Sequence, residues 1–206
     1  MKNTLFIMLL VLGVSSYAQD KKAITLLNEV SEKTQSFDNI KIRFEYKMLN
    51  KAQGINESLD GWLLSKGDKY RLDVAGQQII SDGKTMWTFM ESVNEVQINE
   101  PMDDEEGFNP RNFLKSWSDK FKAKILSETG NEVVLELLPK EAAAFNKVHV
   151  KVDKSKKQLM AITMFDGSGN EFVYAIKDFI TNETIPDSSF RFNTADHPGI
   201  EIIDLR

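Results

Sequence analysis

The nine residues Ile40 to Met48, "IKIRFEYKM", constrain the fold of this chain more than any other stretch. Ile40, Ile42, Phe44, Tyr46 and Met48 alternate with Lys41, Arg43, Glu45 and Lys47 without a break. Successive side chains on a strand point to opposite faces, so this is a strand with one buried face and one wet face. Strand-like runs then recur at Leu59 to Ser65, Lys69 to Val74, Gln77 to Ser81, Thr85 to Met90 and Glu95 to Ile98. Gly67-Asp68, Ala75-Gly76 and Asp82-Gly83 separate them as turns. Links this short join antiparallel neighbours.

A second series runs through Phe121 to Leu126, Glu132 to Leu138, Lys147 to Val152, Gln158 to Phe165 and Glu171 to Phe179. A final short extended run follows the Pro198-Gly199 turn. Only two segments carry a helical period. From Lys22 to Phe37, Ile24, Leu27 and Val30 recur three residues apart with Leu26 beside them, and Asp20 stands as the N-cap. In "NPRNFLKSW", Asn109 is placed to cap, Pro110 takes the first helical position, and Phe113, Leu114 and Trp117 share one side. Between the two series, "PMDDEEG" at 101–107 reads as a solvated acidic loop. The expected fold is mainly β with helices (α+β): an unclosed antiparallel half-barrel of about ten or eleven strands. The two helices are the elements the sequence offers to cover one face.

The N-terminus has the form of an export signal. Met1-Lys2 is a short positive start, Thr4 to Val14 is almost wholly apolar, and Ser16-Tyr17-Ala18 places small residues where a signal peptidase reads. The expectation is a signal peptide over 1–18 cleaved after Ala18, and one domain over 19–206. The chain has no Cys, hence neither disulfides nor the acylated Cys of a bacterial lipoprotein. A soluble periplasmic protein, monomeric, is the expectation. The formal charge of −5 argues against nucleic acid, which asks for a basic face.

Catalytic patterns are wanting. There is no nucleophile elbow, P-loop or paired-His zinc motif. His149 falls on the wet side of "KVHVKV", and His197 before a Pro-Gly turn; both read as surface histidines. Asp166 to Asn170 resembles half of a calcium loop, but Glu171 and Lys177 stand where such a loop needs Gly and Glu. Asp60, beside Trp62, is the one carboxylate in an apolar neighbourhood; a solvated or turn role competes there with catalysis. The expectation is a protein that is not an enzyme, with no cofactor and no metal.

What the sequence does supply is apolar surface on both faces of several strands. Trp87 and Phe89 oppose Met86 and Met90; Leu159, Ala161 and Phe165 oppose Met160, Ile162 and Met164; Phe172, Tyr174 and Ile176 oppose Val173 and Ala175. A sheet wet on one side alternates more cleanly. Two explanations stand: a packed, helix-covered core, or a cavity lined by wide aromatic and adaptable methionine side chains.

The segment "IISDGKTMWTFMESVNEVQI" resembles the strand pair of the periplasmic outer-membrane lipoprotein carriers, the LolA-like proteins. "DGWLLSKGDKYRLDV" and the ending "FRFNTADHPGIEIIDLR" are similar to further segments of that family in the same order, and the similarity runs over essentially the whole chain after the signal. The resemblance implies a half-barrel with helices as a lid over a hydrophobic cavity. That cavity receives the acyl chains of lipoproteins released by an inner-membrane ABC transporter, and the cargo passes to the outer membrane, in some bacteria through an acceptor lipoprotein. The lining residues it points to are Phe44, Tyr46, Trp62, Leu64, Tyr70, Leu72, Trp87, Phe89, Val96, Ile98, Phe113, Trp117, Met164, Phe172 and Tyr174. Relatives usually carry a basic residue before a Pro in the second strand-turn, able to latch the lid. Here Lys66, followed by Gly67, stands nearest, and Arg71 is the other candidate. Three other readings stay open: an exported binder of a different lipid or polyprenyl ligand, a hydrolase using Asp60, and a purely structural exported domain.

Overall fold

A computed structural model describes residues 20–101 and 110–206. The signal-peptide reading, most of the acidic loop and the Asn109 cap lie outside these residues. Among them are helices α1 (Lys21–Gln35) and α2 (Pro110–Lys120) and twelve strands. The first series is β1 (Ile40–Asn50), β2 (Ile55–Lys66), β3 (Lys69–Val74), β4 (Gln77–Ser81), β5 (Met86–Met90) and β6 (Glu95–Asn99). The second is β7 (Phe121–Thr129), β8 (Glu132–Pro139), β9 (Phe145–Asp153), β10 (Gln158–Asp166) and β11 (Glu171–Thr181), with β12 (Glu201–Asp204) last.

All twelve strands form one open sheet in the order β12-β6-β5-β4-β3-β2-β1-β11-β10-β9-β8-β7. Two meanders of sequential antiparallel strands therefore meet at a single seam, β1 against β11. This is the expected unclosed half-barrel, with one more strand than the upper tally. The last strand also departs from expectation in direction: β12 lies parallel to β6. A parallel neighbour needs a long crossover, and residues 100–200 provide it.

The first strand explains why the fold forms. Directly opposed residues in an antiparallel ladder share a face, so the buried set Ile40, Ile42 and Phe44 carries Leu63 with it across β2 and Phe179 across β11. The same face collects Val133, Leu135 and Leu137 from β8, and Val148, Val150 and Val152 from β9. Helix α1 lays Ala23, Leu27 and Val30 onto it, and α2 lays Leu114 and Trp117. Asp20 caps α1 as its sequence position predicts, accepting from the Lys22 amide at 2.8 Å.

One predicted facing is corrected. Met160 is skipped in the β9–β10 register, so Leu159 lands on the same face as Ile162 rather than opposite it; both are buried. A bulge of this kind places two residues against one and shifts the alternation.

The opposite face holds a second core that the helix count did not anticipate. Ile80, Phe89 and Val96 are buried there, away from both helices, together with Phe190. Their cover is the segment after β11. Phe192 lies 5.3 Å from Phe89, and the His197 ring lies 4.3 Å from Phe89 and 4.8 Å from Phe192. His197 is thus a packed ring rather than a surface one. His149 keeps its predicted place on the outer side of β9, with Nε2 3.2 Å from Glu136.

Candidate functional site: the helix-covered face

The floor of this face is built by alternation on β1 and its two neighbours. Tyr46 stands opposite Leu59 on β2 and Tyr174 on β11; Met48 stands opposite Phe172. Farther out, Leu63, Leu72 and Ile79 line up across β2, β3 and β4, and Ser65, Tyr70, Ser81 and Met86 form the next row. Phe44, Tyr46 and Tyr174 pack as a group, with ring centres 5.6 and 5.2 Å from Tyr174. This packing needs a residue without a side chain opposite Phe44. A Cβ on Gly61 would come within 2.6 Å of the Phe44 ring and 2.9 Å of the Asp73 carbonyl oxygen. Burial drives the Tyr174 hydroxyl well above the ordinary phenol range, with Tyr46 adding to the effect. Tyr46 is raised too, by burial first and by Glu57 second.

Helices α1 and α2 roof only part of this floor. Beneath them a cavity of about 10 Å³ remains, bordered by Thr34, Ile42, Ser65, Leu114 and Phe179 among others. That is about the space of one water molecule, so the roofed part is filled by the protein's own side chains. The Ser65 hydroxyl is buried there without a hydrogen-bond partner. Beyond the roof the floor is only half-buried: Tyr46, Met48, Tyr70, Val74, Ile79, Met86, Met90, Met164, Phe172 and Tyr174 all keep some contact with solvent. Leu59, at the margin, is 43% exposed.

The two helices are tied to each other by a few directed bonds. Arg111 on α2 donates from Nη1 to the Phe37 carbonyl at 3.0 Å and from Nη2 to the Gln35 carbonyl at 3.2 Å. Gln35 returns a bond from Nε2 to the Arg111 carbonyl at 2.8 Å, and Ser31 donates to the Leu114 carbonyl. Contact with the sheet adds Lys33 Nζ to the Lys156 carbonyl at 2.6 Å and the Lys157–Glu29 ion pair at 3.4 Å. Arg111 is the cation that fastens the roof, and sequence reasoning missed it. Its signal was faint: one Arg directly after the Pro of a short helix.

The predicted lining residues divide between the two faces. Phe44, Tyr46, Tyr70, Leu72, Met164, Phe172 and Tyr174 stand together on the helix-covered floor, and Phe113 and Trp117 on the roof. Trp62, Leu64, Trp87, Phe89, Val96 and Ile98 point the other way. Within that second group Phe89 and Val96 are buried in the second core. One strand cannot send neighbouring residues to the same side, and a list that mixed both sets could not describe one lining. The latch candidates also lie on the opposite face. Lys66 reaches Asp187 at 3.1 Å, where Lys69 joins it at 3.0 Å; these bonds hold the 185–189 segment, not the helices. The two ammonium groups keep the Asp187 carboxyl below its ordinary range. Arg71 lies over the Trp62 ring, 5.3 Å from its centre.

The carboxylates sort themselves similarly. Asp60 is exposed and paired with Lys177 at 3.2 Å. Asp166 accepts from the Ser168 and Asn170 amides, both at 2.9 Å, and so anchors its own turn.

Against this geometry stand the comparisons with known proteins. The family model described as outer membrane lipoprotein carrier protein LolA matches residues 61–193. That span is narrower than the resemblance read from the sequence, and leaves α1 and β1 outside it. An outer-membrane lipoprotein carrier protein of Coxiella burnetii is 22% identical over 130 residues, which are 62% of this chain and 60% of that protein. Among solved structures, a LolA superfamily protein from Nitrosomonas europaea aligns with 16% identity and a TM-score of 0.46, over 82% of this chain and 97% of that one. LprF from Mycobacterium bovis aligns with 11% identity and a TM-score of 0.47, over 82% and 98%. The matched span takes in strands β3 to β11, the second half of β2 and helix α2, and by that match the chain belongs to the outer membrane lipoprotein carrier (LolA) family.

Proposed function

We propose that this protein is a periplasmic carrier that shelters the acyl chains of lipoproteins and passes them from an inner-membrane ABC transporter towards the outer membrane. The observation that carries the reading is the partly roofed floor. A wide aromatic and methionine surface continues out from under two helices that are fastened to each other by a handful of side-chain bonds. Family membership supports it independently.

A triacylated polypeptide carries on the order of forty methylenes, and at about 0.8 kcal/mol each their exposure to water costs roughly 30 kcal/mol. Cargo of that kind needs a cover. In the empty protein α1 and α2 cover part of the floor; in the loaded protein they part, and acyl chains replace their packing around Ile42 and Leu63. Only the difference between two apolar packings then appears as affinity, which keeps transfer reversible. The protein catalyses nothing in this scheme, and needs no cofactor. Energy enters at the transporter, and an acceptor lipoprotein or the outer membrane itself takes the cargo.

Release of lipoproteins from spheroplasts tests the reading. Met48→Asp and Leu59→Asp sit at the half-buried end of the floor, where a charge is tolerated by the fold but not by an alkyl chain. Together they are expected to abolish release, whereas full release would overturn the assignment. Mass spectrometry of protein purified from its own cells is expected to find acylated polypeptide. A phospholipid or isoprenoid in its place would point to a carrier of another lipid.

A further inference from the structure

The opposite face of the sheet carries a cleft of about 520 Å³ that the carrier reading does not use. Trp62 and Leu64 form its floor, Ile185 and Pro186 one wall, and Lys41, Arg43 and Arg71 its charged margin. These residues lie across β1, β2 and β3 on the side away from α1 and α2.

The wall is fixed rather than loose. Asn39 holds Glu183 from both sides, donating Nδ2 to its carbonyl at 2.8 Å and accepting its amide at 3.1 Å. Lys66 and Lys69 hold Asp187 at the other end. The cleft is therefore a standing feature of the folded chain.

Its chemistry is that of an amphiphile's mirror image. Three cations border it against one lining carboxylate, Glu183, which reaches Lys41 at a loose 3.7 Å. Arg43 is already paired with Asp178 at 2.5 Å. Arg71 is different. Its Nη2 donates to Gln78 at 3.1 Å, but its Nε is buried with no acceptor. A buried guanidinium N–H without a partner is costly, and stacking on Trp62 leaves the rest of the group in place. Asp73 stands near enough to feel the Arg71 charge, yet Nε is left without an acceptor.

Width sets the size of the guest. The apolar strip of Trp62 and Leu64 is one strand wide, between Lys41 and Arg43 on β1 and Arg71 on β3, and neighbouring strands stand about 4.8 Å apart, so the strip takes one alkyl chain laid along it. We infer that this cleft binds a single-chain alkyl carboxylate, its chain along Trp62, Leu64, Ile185 and Pro186 and its carboxylate on Arg71 with Lys41 nearby. The site is separate from the carrier floor and does not depend on it.

Dodecanoate, titrated into the full chain below its micellar concentration, tests this by calorimetry and by the NMR signals of the tryptophan indole N–H groups. The Trp62 indole is expected to shift, and the Trp117 indole, buried under α2 on the other face, to stay. Arg71→Met keeps the stem over Trp62 and removes the guanidinium; it is expected to weaken dodecanoate at least tenfold and to leave dodecanol unchanged. Met48→Asp, on the carrier floor, is expected to leave dodecanoate binding intact. Absence of binding overturns the inference. So does an Arg71→Met protein that binds as before, or a titration that moves Trp117 and is lost in Met48→Asp.

Discussion

The two faces of the sheet are both apolar, and they are closed in different ways. On one, helices α1 and α2 rest on a broad floor and are joined through Arg111, Gln35 and Ser31. On the other, the chain after β11 folds back and plugs a smaller core with Phe190, whose side chain is fully buried. The plug is tied at Asp187 by two lysines and at Glu183 by Asn39. The first cover spans a floor that extends past it; the second matches what it covers. A cover that leaves floor half-exposed is suited to exchange its contacts, and one that matches its core is suited to hold.

Four changes would break or sharpen that contrast. Phe190→Ala is expected to cost about 3–5 kcal/mol in urea unfolding, while amide exchange in α1 and α2 stays protected. Loss of that protection would mean the two faces are one cooperative unit. Gly61→Ala drives a methyl group into the Phe44 ring, with an expected cost of about 1–3 kcal/mol and perturbed Phe44 and Tyr174 ring signals. Arg111→Met removes the bonds to the Phe37 and Gln35 carbonyls. It is expected to cost about 1–2 kcal/mol, to speed amide exchange in α2, and to raise binding of an apolar dye. The smallest effect concerns Tyr174, whose folded hydroxyl is held above the ordinary phenol range by burial. Its contribution is whole below the unfolded value near 10 and is lost as the pH climbs beyond that. Tyr174→Phe is expected to flatten the loss of stability between neutral pH and pH 11, measured by denaturation at each pH.

Much of the sheet was legible because period-two alternation reports local geometry. Strands β3 and β4 fall on the predicted residues Lys69 to Val74 and Gln77 to Ser81. What alternation cannot report is which face meets which cover. Trp87 and Phe89 were correctly opposed to Met86 and Met90, yet nothing in "KTMWTFM" says that the aromatic side looks away from the helices. The register across five strands decides that, counted from Phe44. The bulge at Met160 was hidden for a related reason, since Leu159, Met160 and Ile162 are all apolar and no polar residue marks the slip. The lysine expected to latch the helices instead fastens the plug. Its position on β2 was visible, but its partner Asp187 lies far along the chain.

The seam between the two meanders has a kinetic consequence. Arg43 on β1 meets Asp178 on β11, a sequence separation of 135 residues. The middle of the sheet therefore zips last, after the loop between those strands has been drawn in, and long-range closures of this kind slow folding. Until β11 arrives, the seam edge of β1 offers unpaired backbone to any passing strand, so a newly made chain is most vulnerable to mispairing at the place that later joins its two halves.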